Sequence, residues 1–194
     1  MNVALPAQNL SDLVRYANQQ PKGVFYSVSA LGTMPHLAGE LFKIAAKINW
    51  NHVVYKGAGP AMIAVLGGEA DLLFANPAVF MPHLTAGRLR ALGTASLQRI
   101  GALPDMPTFH ESGFPGFESL SWYGLAAPAR TPAAIITRLN SEILSVIAGD
   151  EVRQWMLSQG FEPAGGSPAE AAQHIIREIA KWRTVVEASG AKPE

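Results

Sequence analysis

Hydrophobic positions in the first half of the chain alternate between continuous runs and helical spacing. Residues 24 to 28 form an apolar run typical of a buried strand, and Pro35 then opens a segment with helical spacing. The same order recurs, with a strand predicted from His52 to Tyr55 and a helix from Pro60 to Leu66. This repetition predicts an α/β architecture in which at least part of the sheet is parallel.

Capping and turn signals add further elements to this unit. The additional elements are a helix capped by Asn9 and ended by Pro21, a short strand from Asp71 to Ala75, a helix from Pro77 to Ala86 stopped by Gly87, and a fourth strand from Leu89 to Ala95. Residues 1 to about 120 are therefore predicted to form one compact α/β unit, which ends in a proline-rich loop.

The rest of the chain, residues 121–194, is predicted to be mostly helical after an extended segment from Leu120 to Ala127. Helices are expected from Thr131 to Gly149, from Asp150 to Gly160, and from a capping box at Ser167 to about Ser189. Their apolar faces have almost no strands to cover. We therefore expect exposed apolar surface, with self-association or lobe swapping through Ile135, Ile143, Trp155 and Trp182.

Composition excludes several classes of function. Of the 194 residues, 48% are hydrophobic. The 15 Lys and Arg balance the 15 Asp and Glu, so no broad positive electrostatic field would attract nucleic acid or an anionic membrane. The absence of cysteine excludes disulfides and thiolate chemistry. The first residues resemble no secretory signal, and no apolar run approaches the ~20 residues of a transmembrane helix.

No residue pattern predicts catalysis, a metal or a cofactor. The five histidines are His36, His52, His83, His110 and His174. No two of them are spaced as ligands on one helix face, so a metal site is not expected. Nucleophile-elbow, P-loop and dinucleotide-binding signatures are also absent, and the chain is not expected to be an enzyme.

Two glycine-containing loops are the candidate binding elements, because each joins a predicted strand to a helix N-terminus. These are Ser29–Thr33 and Tyr55–Gly59, and Asn76 follows the third strand nearby. Amides at helix starts bind carboxylates, and such loops gather at one edge of a parallel sheet. The alternative is that both loops are ordinary tight turns and that Lys56 is a solvated surface charge.

A series of motifs from about Leu5 to Gly190 resembles the receptors of tripartite tricarboxylate transporters, the Bug family. The motifs are His36–Phe42, Tyr55–Gly57, Pro60–Ala61, Leu66–Gly68 with Asp71, Pro82–His83, Ala86–Leu92, Leu103–Thr108, Glu111 with Gly113, Pro115–Phe117, Ser121–Leu125 and Pro128–Pro132.

The resemblance implies a periplasmic receptor of the type II-like binding-protein fold, whose two lobes close on a small carboxylated solute. Its partners would be that solute and the membrane components of the transporter, without a cofactor and without nucleic acid. Residues 1–120 would be the second lobe, and residues 121–194 would be a crossover strand and helices of an incomplete first lobe. The signal peptide and opening strands of the family are expected to precede Met1.

The resemblance also implies the contacts with the ligand. They would be Ser29, Gly32, Thr33, Tyr55, Lys56, Gly57 and Asn76. Ala30, Leu31 and Ala75 depart from the family's more polar pattern, which predicts a more apolar pocket or a decayed site. His36 belongs to the motif but is expected to be a structural residue at the helix start.

Three hypotheses remain from the sequence: a solute receptor, a non-binding remnant or structural module, and an enzyme without recognisable motifs. The receptor is favoured.

Overall fold

The three strands of the protein form one parallel sheet in a computed structural model that describes residues 1–190. The strands are β1 (Val24–Val28), β2 (Trp50–Val54) and β3 (Leu72–Leu73), in the spatial order β2-β1-β3. All five residues of β1 pair with β2, and Tyr26 and Ser27 pair with β3. The predicted α/β class and parallel pairing are confirmed.

Seven helices complete the described structure. They are α1 (Leu10–Gln19), α2 (Met34–Ala46), α3 (Ala58–Gly67), α4 (Pro77–Thr85), α5 (Ala133–Ala148), α6 (Asp150–Ser158) and α7 (Pro168–Ser189). The predicted caps form: the Asn9 side chain accepts from the Asp12 amide, and Ser167 and Glu170 make a reciprocal capping box. None of these helices is long and apolar enough to cross a lipid bilayer.

Aromatic side chains fill the core between the sheet and α2. The Trp50 ring lies 5.1 Å from Tyr26 and 5.2 Å from Phe42, measured between centroids. Phe109 and Phe117 come from a segment without helix or strand, and they stack on each other at 4.7 Å beside Phe42. This aromatic packing fixes the proline-rich segment against the sheet.

The prediction of a fourth strand from Leu89 to Ala95 is wrong. Only single bridges form there, an antiparallel one from Asn2 to Leu89 and a parallel one from Thr94 to Thr108. Its backbone groups bond instead to loop residues, because the segment faces the chain start and the 107–119 loop rather than another strand. The predicted extended segment from Leu120 to Ala127 likewise makes no strand pairing within the described residues.

The C-terminal helices are poorly covered, as the sequence predicted. The structure describes α5 and α6 completely, and no residue of either helix is buried. α7 packs against α2, and its one buried residue is Val185. Exposed large apolar residues in this part are Leu120, Trp122, Tyr123, Leu125, Ile135, Leu139, Val146, Trp155, Ile175, Ile176 and Ile179. Ile143 and Trp182 are half-buried.

The total surface is correspondingly large. The chain exposes 11805 Å², whereas a compact monomer of its mass, 20.7 kDa, exposes about 8,900 Å². The excess of about 2,900 Å² is comparable to the surface area buried in a large protein–protein interface.

We predict that the chain binds a hydrophobic dye and self-associates as its concentration increases, because this apolar surface is not covered. Replacing Ile135 and Leu139 by serine should reduce both effects, since both side chains are 48% exposed on α5. Ile63→Ser on α3, where the side chain is 67% exposed, is the control and should change little. A sharp monomer without dye binding, measured by light scattering and fluorescence, would contradict the prediction.

Gly39 allows α2 to approach β1 closely. A methyl group at this position would lie 2.2 Å from Cε2 of Tyr26, and the Gly39 carbonyl accepts a bond from Nε1 of buried Trp50. We predict that Gly39→Ala lowers the free energy of unfolding by about 1–3 kcal/mol through overpacking.

The matched control for this substitution is Gly67→Ala, because that helical glycine has no neighbouring atom within 4 Å of the added methyl group. It should be neutral or stabilising by up to about 1 kcal/mol. Denaturant unfolding measures both variants, and equal effects would show that the contact with Tyr26 is unimportant.

Candidate functional site

The loops that follow the three strands meet at one edge of the sheet, because all three strands run in the same direction. A depression of about 100 Å³ lies at this edge. It is lined by Ser27, Ser29, Pro35, Ala58, Ala61, Leu73, Phe74, Ala75, Asn76 and Val79. The wall is mostly apolar, and its polar groups are two serines and one asparagine.

Three helices begin around this depression. Their N-caps are Thr33 for α2, Gly57 for α3 and Asn76 for α4. Amides in the first turn of a helix have no partner within that helix, so each helix start carries partial positive charge. At α4 the Asn76 side chain already accepts from the Ala78 amide at 3.0 Å, which leaves α2 and α3 as the more available anion-binding ends.

The two loop glycines have backbone conformations that favour glycine, with φ of +71° at Gly32 and +108° at Gly57. Both of their amides donate within the chain. Gly32 donates to Nδ1 of His36 at 3.1 Å, and Gly57 donates to the carbonyls of Tyr55 and Ser29 at 3.0 and 3.3 Å. These two glycines therefore shape the loops, and amides later in each loop are better placed to meet an anion.

The other predicted contacts are distributed around the same edge. Ser29 and Asn76 line the depression, whereas the Thr33 hydroxyl donates to the Ala30 carbonyl at 2.7 Å. Tyr55 is half-buried against the α3 side of the sheet, and Lys56 is exposed. The structure thus places two of the seven predicted residues in the wall of the depression and the other five on the adjoining loops.

A polar cluster lies behind the first loop, with Tyr26, His36 and Glu40 buried and His52 exposed at its edge, and the sequence analysis did not predict it. It contains His36 and Glu40 of α2, His52 of β2 and Tyr26 of β1. The Tyr26 hydroxyl donates to Oε1 of Glu40 at 2.7 Å, and Nδ1 of His52 lies 3.4 Å from the same oxygen. The i, i+4 spacing of His36 and Glu40 on one helix was the signal in the sequence, whereas the contribution of His52 depends on tertiary packing.

Burial is the main influence on the ionisation of Tyr26 and His36. Burial, followed by the hydrogen bond from its hydroxyl to Glu40, raises the pKa of Tyr26 far above its usual range. Burial and then the nearby His52 lower the pKa of His36, while Glu40 opposes this shift. His36 is only 1% exposed, so its position as a structural residue inside the protein agrees with the expectation.

The ligand-type atoms of His36, Glu40 and His52 lie within 4.8 Å of one another, a separation that also allows a metal ion. However, Nδ1 of His36 accepts the Gly32 N–H, so the neutral ring carries its proton on Nε2. Metal binding would require His36 to lose either that proton or the bond to Gly32. The arrangement therefore fits a hydrogen-bonded cluster better than a metal site.

Comparison with known proteins identifies the family. The family description "Tripartite tricarboxylate transporter family receptor" matches residues 1–191. The chain belongs to this family. BugT of Bordetella pertussis is 33% identical over 98% of this chain, and the chain spans 59% of BugT.

Two solved structures of relatives show the same fold. R. palustris Rpa4515 with adipate is 36% identical with a TM-score of 0.85, and the match covers 100% of this chain and 64% of Rpa4515. MatC from Rhodopseudomonas palustris with bound malate is 28% identical with a TM-score of 0.76, covering 93% of this chain and 63% of MatC. The chain therefore has the fold of these two relatives over a little less than two thirds of their length.

We predict that the free energy of unfolding decreases as pH falls below about 6.5, the ordinary pKa of histidine. The pKa of His36 is lowered in the folded protein, so the unfolded chain takes up a proton first, and the stabilising contribution present at higher pH is lost. In His36→Asn the decrease between pH 7.5 and 5.5 should be smaller, as measured by urea unfolding. An identical pH dependence in both proteins would exclude His36 as its source.

Proposed function

We propose that this chain is the ligand-binding part of an extracytoplasmic solute receptor that supplies a small carboxylated metabolite to the membrane components of a tripartite tricarboxylate-type transporter. The observation that carries the proposal is that three helices begin around the depression lined by Ser29 and Asn76, in a chain of this receptor family. A periplasmic location is part of the proposal. Residues 1–120 would form one lobe, and residues 121–194 would belong to the other.

The ligand class follows from the chemistry of the wall. No side chain among the residues lining the depression carries a charge, so a carboxylate would be held by main-chain amides at the starts of α2 and α3 and by the Ser29 hydroxyl. Ser29 and Asn76 supply polar groups, while Ala61, Leu73 and Val79 offer an apolar surface to a hydrocarbon body. The relatives solved with adipate and malate, both dicarboxylates, support this class.

The proposed contacts are Ser29, Gly32, Thr33, Tyr55, Lys56, Gly57 and Asn76. Their support differs in kind. Ser29 and Asn76 are supported by their position in the wall, Gly32 and Gly57 by their role in shaping the loops, and Lys56 by its exposed charge beside the start of α3. Self-association through the uncovered helices is compatible with this role.

The depression is too small and open to enclose a ligand by itself. Its volume of about 100 Å³ compares with roughly 300–1,000 Å³ for typical ligand pockets. Each charge-assisted hydrogen bond that a second surface would add contributes about 1.5–3 kcal/mol, so two or three absent bonds would weaken a micromolar site to about millimolar.

We predict weak, carboxylate-dependent binding by this chain, with a dissociation constant of about a millimolar or above. Calorimetric titration with dicarboxylates, tricarboxylates and aromatic carboxylates measures it. Binding of micromolar affinity would contradict the prediction that one face contributes only part of the site. Absence of binding even at tens of millimolar would favour the non-binding remnant.

Two variants test the location of the site. Asn76→Asp keeps an N-cap of equal quality for α4 but adds a negative charge to the wall, so it should abolish carboxylate binding without unfolding the helix. Ser29→Ala should weaken binding about tenfold or more. Ser141→Ala, at an exposed position on α5, is the control. Unchanged affinity in both wall variants would place the ligand elsewhere.

A further inference from the structure

The Ser29–Thr33 loop is held to α2 by a bond whose direction determines the protonation state of a buried histidine. The Gly32 amide donates to Nδ1 of His36 at 3.1 Å. An amide can only donate, so Nδ1 must be unprotonated, and neutral His36 carries its proton on Nε2. An imidazolium has a proton on both nitrogens and cannot accept this bond.

The surroundings favour this neutral form. His36 is 1% exposed and occupies the third position of α2, where the positive helix start also opposes an added positive charge. The His52 ring meets it edge-on at 4.7 Å between centroids. Opposing these effects, Glu40 of the same helix lies nearby and accepts the Tyr26 hydroxyl bond.

The titratable groups that face His36 therefore come from each neighbouring element: Tyr26 from β1, Glu40 from α2 and His52 from β2. From α7, which packs on the same helix, Lys181 pairs with Glu178 and with Glu118 of the 107–119 loop, and none of these three is among the groups that shift the pKa of His36.

We propose that neutral His36 is a positioning residue for the Ser29–Thr33 loop, and that its protonation releases Gly32 and disorders that loop. The loop contains Ser29 of the depression and leads into the start of α2, so its order decides whether the amides there can meet a carboxylate. The consequence for binding rests on the proposed function, whereas the effect on the loop does not.

Nitrogen and amide NMR on the labelled chain test the loop directly, without a ligand. At pH 8 the Nδ1 resonance of His36 should be that of an unprotonated nitrogen, and the Gly32 amide should be protected from exchange. As pH falls through the titration of His36, the Gly32 protection factor should decrease at least tenfold. The Gly116 amide, which donates to Nδ1 of exposed His110, is an internal control, and its protection should not follow the titration of His36.

His36→Asn is the matched variant, because the Asn side-chain oxygen takes the place of Nδ1 and accepts a bond but cannot be protonated. Gly32 should remain protected from pH 8 to pH 5 in this variant. His36→Leu offers no acceptor, so Gly32 should be unprotected throughout. If that variant does not fold, the titration of the unaltered chain and the Asn variant still decide the proposal.

A proton on Nδ1 in the neutral form, or Gly32 protection that does not change when His36 titrates, would overturn the proposal. Adipate titrations separate it from the proposed function. Affinity should fall more steeply toward low pH in the unaltered chain than in His36→Asn, because protonation of adipate itself weakens binding equally in both. A rise in affinity at low pH would mean that the positive charge on protonated His36 helps binding more than loss of loop order harms it. That result would also overturn the proposal. If Gly32 follows His36 but adipate does not bind at any pH, the loop role is supported and the proposed function fails.

Discussion

The parallel pairing of β1 with both β2 and β3 is the constraint on which the candidate site depends. Because the strands share one direction, the loops after all three end at the same edge, and the helices that follow begin there. The Ser27 hydroxyl adds a buried bond to the Ala61 carbonyl at 2.9 Å, which ties α3 to the central strand beneath the depression. The helix starts are thus held by the sheet, and their partial positive charges add at one place.

The packing of α2 against the sheet connects this edge to the polar cluster of Tyr26, His36, Glu40 and His52. Gly39 lets the Tyr26 ring lie against the helix, and the Tyr26 hydroxyl then reaches Glu40. Within the described residues, no buried side-chain nitrogen or oxygen lacks a hydrogen-bond partner. Satisfied buried polar groups specify one arrangement of helix and strand, since any shift would leave a costly unpaired group. His36 of the same helix accepts the Gly32 amide, so this arrangement also positions the Ser29–Thr33 loop.

The C-terminal helices are held to the sheet unit by fewer contacts of a different kind. α7 packs against α2 and buries Val185, and the Glu162 carboxylate accepts from the Gly101 amide at 2.9 Å. Gly160 lies beside the start of α4, where an added methyl group would be 2.9 Å from the Asn76 side-chain oxygen. The loop after α6 therefore borders the candidate site, although most apolar surface of these helices stays exposed. Because so few of their residues are buried, the C-terminal helices are held less rigidly to the sheet unit than the elements of the core are held to one another.

The sequence by itself determined the order of the main strands and helices, several caps and the two glycine loops, because these depend on local spacing and on backbone preferences of nearby residues. It also identified the family through its motifs. It misjudged Leu89–Ala95, since a strand requires a partner that local pattern does not reveal. Only the tertiary structure decided that Gly32 and Gly57 donate inside the chain, that Ser29 and Asn76 share one wall, and that His36, Glu40 and His52 meet. Those facts depend on which distant residues are brought within hydrogen-bond range, and that is set by strand order and helix packing.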